Sequence, residues 1–169
     1  MEELTTETQA KRPVLLTVLV ILSAIYIIGS LLAVTSALIS GPLSEEALET
    51  ELEGLYELSA ELSANGAGEQ LAGMTNTIID NAVYINNEVF MLSHTLSLIT
   101  LIIGAIGVFM MFNLKKIGFH LYVIYSLLPI ITMYIITPME LIITFSVISA
   151  VVLAALFSVL YGLNLKHMK

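Results

Sequence analysis

Four apolar runs, each free of Asp, Glu, Lys and Arg, constrain this chain more than anything else in it: Val14 to Ser40, Val89 to Phe112, Phe119 to Thr137 and Leu141 to Leu163. A membrane-crossing helix needs about 20 mainly apolar residues to span roughly 30 Å of hydrocarbon. Backbone groups in lipid cannot bond water, so each run is expected to close its own hydrogen bonds as a helix. A β-barrel would need many short alternating strands, and the chain has no such alternation. The expected fold is therefore all-α, a bundle of four transmembrane helices.

The basic residues set the expected topology. They are Lys11, Arg12, Lys115, Lys116, Lys166 and Lys169. Threading four helices puts all six on one side, which the positive-inside rule makes cytoplasmic. The expected organisation is a cytoplasmic tail at 1–12, a first span at 13–40, an external segment at 41–88 and a second span at 89–112. A cytoplasmic turn at 113–118, a third span at 119–137, an external turn at 138–140, a fourth span at 141–163 and a cytoplasmic tail at 164–169 complete it. Both termini are expected in the cytoplasm, with the protein in the cell's cytoplasmic (inner) membrane. The first run is much longer than the roughly 7–15 apolar residues of a signal-peptide core, so it reads as an uncleaved anchor. Met1 to Ala10 reads as a disordered tail.

The external segment is acidic. It contains no Lys or Arg, and the formal net charge of the chain is -8. Ser44 is placed to cap a helix. Leu48, Leu52, Leu55 and Leu62 recur at helical spacing, while Glu46, Glu49, Glu53, Glu57 and Glu61 form a separate stripe. This predicts an amphipathic helix over about Ser44 to Ser63. The run from Ala64 to Gly68 reads as a turn. From Glu69 the helical pattern resumes, and no strong breaker interrupts Met74 to Phe112. One long helix is therefore expected to leave the external segment and become the second span. The two external helices are expected to pair as an antiparallel hairpin, leucines against Leu71, Met74 and Ile78. The alternative lays the first of them on the bilayer surface. Interfacial helices usually carry basic residues on their polar face, and this one is acidic, so the hairpin is favoured.

Small residues mark the expected packing faces. Gly29, Ala33, Ala37 and Gly41 recur every four residues in the first run. Ser146, Ala150, Ala154, Ser158 and Gly162 do so in the fourth, and such ridges let helix backbones approach in lipid. Gly104 and Gly107 give a similar signal in the second span. Pro129 should kink the third helix by removing a bond to the Tyr125 carbonyl. Tyr122 and Tyr134 read as interfacial aromatics.

Candidate chemistry is sparse. The apolar runs contain no acidic or basic side chain other than histidine, which argues against a proton-driven exporter built on a membrane carboxylate. With no cysteine in the chain, disulfides, thiolate metal sites, lipid-anchored Cys and quinone-linked thiol chemistry are excluded. His94 and His120 sit at opposite ends of their helices, which excludes bis-histidine haem ligation. Asp80, Asn87 and His94 share one helix face at seven-residue intervals, a polar relay or metal site at most, and otherwise an ordinary interfacial face. No phosphate loop, nucleophile elbow or two-His metal motif occurs. No cofactor is expected, and the negative charge argues against nucleic acid.

The order of features has a resemblance. Lys11-Arg12-Pro13 enters the first span, a long acidic segment follows, and Asn113-Leu114-Lys115-Lys116-Ile117-Gly118-Phe119-His120-Leu121-Tyr122 turns from the second span into the third. The chain resembles a group of small bacterial four-helix inner-membrane proteins with no assigned activity. The resemblance implies an architecture and a membrane location, and carries over no functional residue.

The leading expectation is a non-enzymatic accessory or scaffold protein. Its partners are the lipid bilayer and a membrane or external protein with a basic surface, docked on Glu46, Glu49, Glu53, Glu57 and Glu61. The alternative is a small oligomeric transporter or channel. A scaffold should show a dry bundle; a transporter should show a polar cavity between helices.

Overall fold

The computed structural model describes residues 13–64 and 68–169. Lys11, Arg12, the amino-terminal tail and the centre of the turn after Ala64 lie outside the described residues. The described chain is all-helical, with α1 (Val14–Ser40), α2 (Glu45–Ala64), α3 (Glu69–Asn87), α4 (Phe90–Phe112), α5 (Lys116–Ile136) and α6 (Thr144–Gly162). Short 3-10 turns cover Met139–Leu141 and Leu165–His167. Four helices are long and apolar enough to cross a membrane: α1, α4, α5 and α6 with its following turn. Their outward faces are greasy: Ile39 is 81% exposed, Val14 79% and Ile135 73%. Apolar surface this continuous suits hydrocarbon and would aggregate in water.

The four apolar helices pack mainly in a row. α4 lies between α1 and α5, and α6 leans on α5. The α4–α5 seam is the tightest because bare backbones meet there. A Cβ built on Gly118 would lie 2.6 Å from the Gly107 carbonyl oxygen and 2.6 Å from the Met111 nitrogen. One built on Gly107 would meet the Tyr122 nitrogen at 3.1 Å. The close-packing signal of Gly104 and Gly107 is thus realised, and Gly118 completes it.

The main core lies at the end where α4 turns into α5. It gathers Leu16, Leu19, Val20 and Ile27 from α1 with Val108, Met111, Tyr122 and Tyr161. Met168 joins them, 4% exposed. Leu114 turns the chain there with φ 58, a region that disfavours a side chain with a Cβ. Two bonds hold this turn to the last described residue: the Lys169 N–H donates to the Leu114 carbonyl (2.7 Å), and the Lys116 N–H to the Lys169 carbonyl (2.9 Å).

Three expectations need correction. The long helix from Met74 to Phe112 is interrupted between α3 and α4: Glu88 keeps helical dihedrals, and Val89 leaves them at φ -127, ψ 19. Just before the break, the Asn86 amide accepts the Leu43 N–H (2.9 Å) and donates to the Leu43 carbonyl (3.0 Å), tying this corner to the start of the α2 segment. Secondly, α3 meets the α2 leucines through Ile79, Ala82 and Val83 and also buries Ala72 and Thr75, while Leu71 is 53% exposed. Leu48 and Leu52 do form the facing side of α2, clustered with Ile79. Thirdly, the last apolar helix starts at Thr144 rather than Leu141, because Pro138 opens a 3-10 turn. The Ser44 cap is present: its Oγ accepts the Ala47 N–H at 3.3 Å.

Candidate functional site

The helical periods of three helices converge on one cavity of about 420 Å³. α5 contributes Tyr122, Tyr125, Ser126 and Pro129, at spacings of three and four residues that put them on one face. α1 contributes Leu22, Ser23 and Tyr26. α6 contributes Ala150, Leu153, Ala154 and Phe157. The wall is apolar with a few hydroxyls, and no charged side chain lines it. Because α6 packs on α5 and not along α1, the gap between α1 and α6 opens sideways.

That gap is closed at one end by a latch. Ser23 Oγ and the Tyr161 hydroxyl share a hydrogen bond of 2.9 Å. Tyr161 is fully buried. Its ring centroid lies 4.5 Å from that of Tyr122, which in turn lies 5.5 Å from that of Tyr125. Tyr125 is seated against Gly104: a Cβ there would come within 2.6 Å of the Tyr125 ring. The glycine of α4 thereby sets the position of an aromatic in the cavity wall. Ser126 is occupied with its own helix, donating to the Tyr122 carbonyl at 2.7 Å. Tyr26 and Tyr125 make no hydroxyl hydrogen bond among the described residues.

Pro129 also borders a second cavity of about 190 Å³ between α3, α4 and α5, with Ser93, Ser97, Thr100, Thr132 and Thr137 in its wall. A third, wider cleft of about 700 Å³ lies where α1, α2, α3 and α4 meet. Hydrogen bonds tie α3 over this end of the helices. Asn81 Nδ2 donates to the Leu141 carbonyl (3.2 Å) and the Tyr84 hydroxyl to the Ile136 carbonyl (3.1 Å).

The residues singled out from sequence are distributed as follows. Glu46, Glu49, Glu53, Glu57 and Glu61 all stand exposed on α2, off its leucine face. Asp80 and Asn87 are exposed, and no hydrogen bond joins them to His94. His94 Nδ1 instead donates to the Phe90 carbonyl (2.8 Å), and its ring lies on Phe90 at a centroid distance of 4.1 Å. The helix break at Glu88–Val89 destroys the shared face on which that trio depended. No group of three metal-ligating side chains forms among the described residues.

The small-residue ridges behave differently from expectation. A Cβ on Gly29 would meet nothing within 4 Å, and Ala33 is exposed. Ala33 and Ala37 border the wide cleft. On α6, Ser146 is exposed, Ser158 is half-buried, Ala150 and Ala154 border the tyrosine cavity, and a Cβ built on Gly162 would come no nearer than 3.9 Å to the Phe119 ring. Within one chain these ridges make space where contact was expected. The α1 seam is the turn of Leu16, Leu19, Val20, Ser23 and Ile27 instead. Tyr122, read as interfacial, is 5% exposed in the core. The sequence carried only a partial signal, Tyr122, Ser126 and Pro129 on one face of α5; Ser23 and Tyr161 meet only in the fold.

Compared with known proteins, the chain matches no family model, no curated protein and no solved structure.

Proposed function

We propose that the chain is a non-enzymatic, multi-pass protein of the cytoplasmic membrane, an accessory or scaffold component that docks a basic partner on α2. Both termini face the cytoplasm in this reading, and α2 with α3 forms an external acidic hairpin. The supporting observation is the division of α2 into two faces. Leu48 and Leu52 are committed to α3, while Glu46, Glu49, Glu53, Glu57 and Glu61 stay exposed. No Lys or Arg lies anywhere in 41–88 to neutralise them. Attraction of this kind acts mainly as steering and fades once charges are separated by more than about 8 Å at physiological salt. Pull-down at low and high salt, with wild type and with all five glutamates changed to Gln, tests it. A partner captured only by wild type and only at low salt is expected. Identical captures from both proteins would leave the stripe as a solubilising face.

A second reading, a small transporter or channel, is favoured by one observation. The tyrosine cavity and the Ser/Thr cavity both border Pro129 along a single face of α5. Proteoliposome flux that responds to filling either cavity would support it.

A further inference from the structure

We propose that the cavity between α1, α5 and α6 is a binding site for an uncharged, lipid-soluble carbonyl compound of the quinone type, which enters sideways from the bilayer. The inference uses the membrane reading but is independent of acidic docking. Size comes first: about 420 Å³ falls within the roughly 300–1,000 Å³ of small-molecule sites. Composition is the second constraint. Leu22, Leu153 and Phe157 supply an apolar wall, and Ala150 and Ala154 leave the volume open. No charged or histidine side chain borders it, so an ionised ligand would sit uncompensated where charge is most costly.

Polarity then narrows the class. Tyr125, half-buried, borders the cavity with a hydroxyl that has no partner among the described residues; Tyr26 borders it as well but is 65% exposed. Water is scarce at this depth, and an unbonded hydroxyl in hydrocarbon is costly. A ligand oxygen that accepts hydrogen bonds removes that cost. Depth separates the two sources of such an oxygen. Tyr125 lies close to the midpoint of α5, roughly 13 Å along the helix from Lys116 at 1.5 Å per residue. The ester carbonyls of bilayer lipids are tethered to headgroups at the edge of a hydrocarbon layer about 30 Å thick. A freely dissolved carbonyl compound reaches mid-depth without dragging a headgroup. The open side between α1 and α6 gives it a route that needs no aqueous entrance.

The chain carries seven tyrosines and no tryptophan, so its ultraviolet emission reports on tyrosines alone, three of which border this cavity. Decylubiquinone titrated into proteoliposomes holding the full chain as the sole protein should quench that emission in a saturable way, over and above linear partition. Ala154→Phe fills the cavity and keeps every tyrosine. It should abolish the saturable component. Tyr125→Phe keeps the shape and removes one donor, and should weaken apparent affinity by about 3–10-fold, the span of an ordinary hydrogen bond. Equal saturable quenching in wild type and both variants, or purely linear quenching in wild type, would overturn the site. Should Ala154→Phe lose its helical circular dichroism, Tyr125→Phe alone decides. Proteoliposomes of ether-linked and ester-linked phosphatidylcholine separate the sources. Unchanged affinity is expected; affinity that rises in ether lipid would mean that lipid esters occupy the cavity and would overturn the quinone assignment.

Discussion

Glycine-to-alanine substitutions at Gly118, Gly107 and Gly29 should rank in that order of damage. At Gly118 the added methyl would lie 2.6 Å from two backbone atoms of α4, the Gly107 oxygen and the Met111 nitrogen. Neither can swing aside as a side chain can, so α4 and α5 must part by most of an ångström, and their glycine seam opens along its length. Overpacking of this kind costs about 1–3 kcal/mol. The return from better helix propensity is at most about 1 kcal/mol, and less in the first turn of α5, where Gly118 lies. A net loss of roughly 1–2 kcal/mol is expected. Gly107 meets its nearest backbone atoms at 3.1 and 3.2 Å, so a few tenths of an ångström suffice and the net change should be near zero to about 1 kcal/mol. Gly29 meets nothing; alanine there should be neutral or stabilise by up to about 1 kcal/mol. Reversible unfolding in mixed micelles, followed by far-ultraviolet circular dichroism, reads all three. Gly118→Ala as stable as wild type would refute the seam. Gly29→Ala as the most damaging would place the α1 ridge against protein and overturn the packing described here.

Further expectations concern the latch, the topology and the tether. Ser23→Ala should destabilise by about 1–3 kcal/mol by leaving the buried Tyr161 hydroxyl unbonded, and adding Tyr161→Phe should recover part of that loss. Strict additivity of the two losses would deny the bond. For topology, a membrane-impermeant thiol reagent should label Gly66→Cys but not Lys115→Cys in intact cells; the reverse pattern would invert the protein. Asn86→Ala removes both bonds to Leu43, so amide exchange at Ala47 to Glu49 should accelerate while α4 and α5 stay protected. Unchanged exchange there would show that the tether does not hold α2.

The apolar helices were legible because their cause is local: each run answers the bilayer residue by residue, whatever its neighbours do. The helical pattern of α2 and its Ser44 cap were legible for the same reason. The break at Val89 was not, since no Pro or Gly marks it, and the bonds from Asn86 to Leu43 span 43 positions that no local pattern links. Register on α3 slipped from Leu71 to Ala72 for a related reason. On this turn of α3 the small residue is buried and the leucine is exposed, opposite to a rule that ranks residues by apolarity alone. The tyrosine cavity was hidden because hydroxyls in an apolar run look alike whether they meet lipid or one another. Only the fold brings Ser23 and Tyr161 together, across 138 positions.

The same reasoning explains why the small residues of α6 border a space. Small side chains permit close approach, but approach also needs a partner helix free to come in. α1 is already committed to α4 through Leu16, Leu19 and Val20, and α5 to α4 through its glycines. α6 therefore stands across a gap that Ala150 and Ala154 cannot fill. What holds it to α1 is concentrated near one end, in the Tyr161 ring and its bond to Ser23. The width of the side opening is set by α6 and its small residues, apart from the α4–α5 seam. The tight seam and the loose helix thus have separate origins in the sequence. Glycines that meet backbone make the first; small residues that do not reach α1 across the gap make the second.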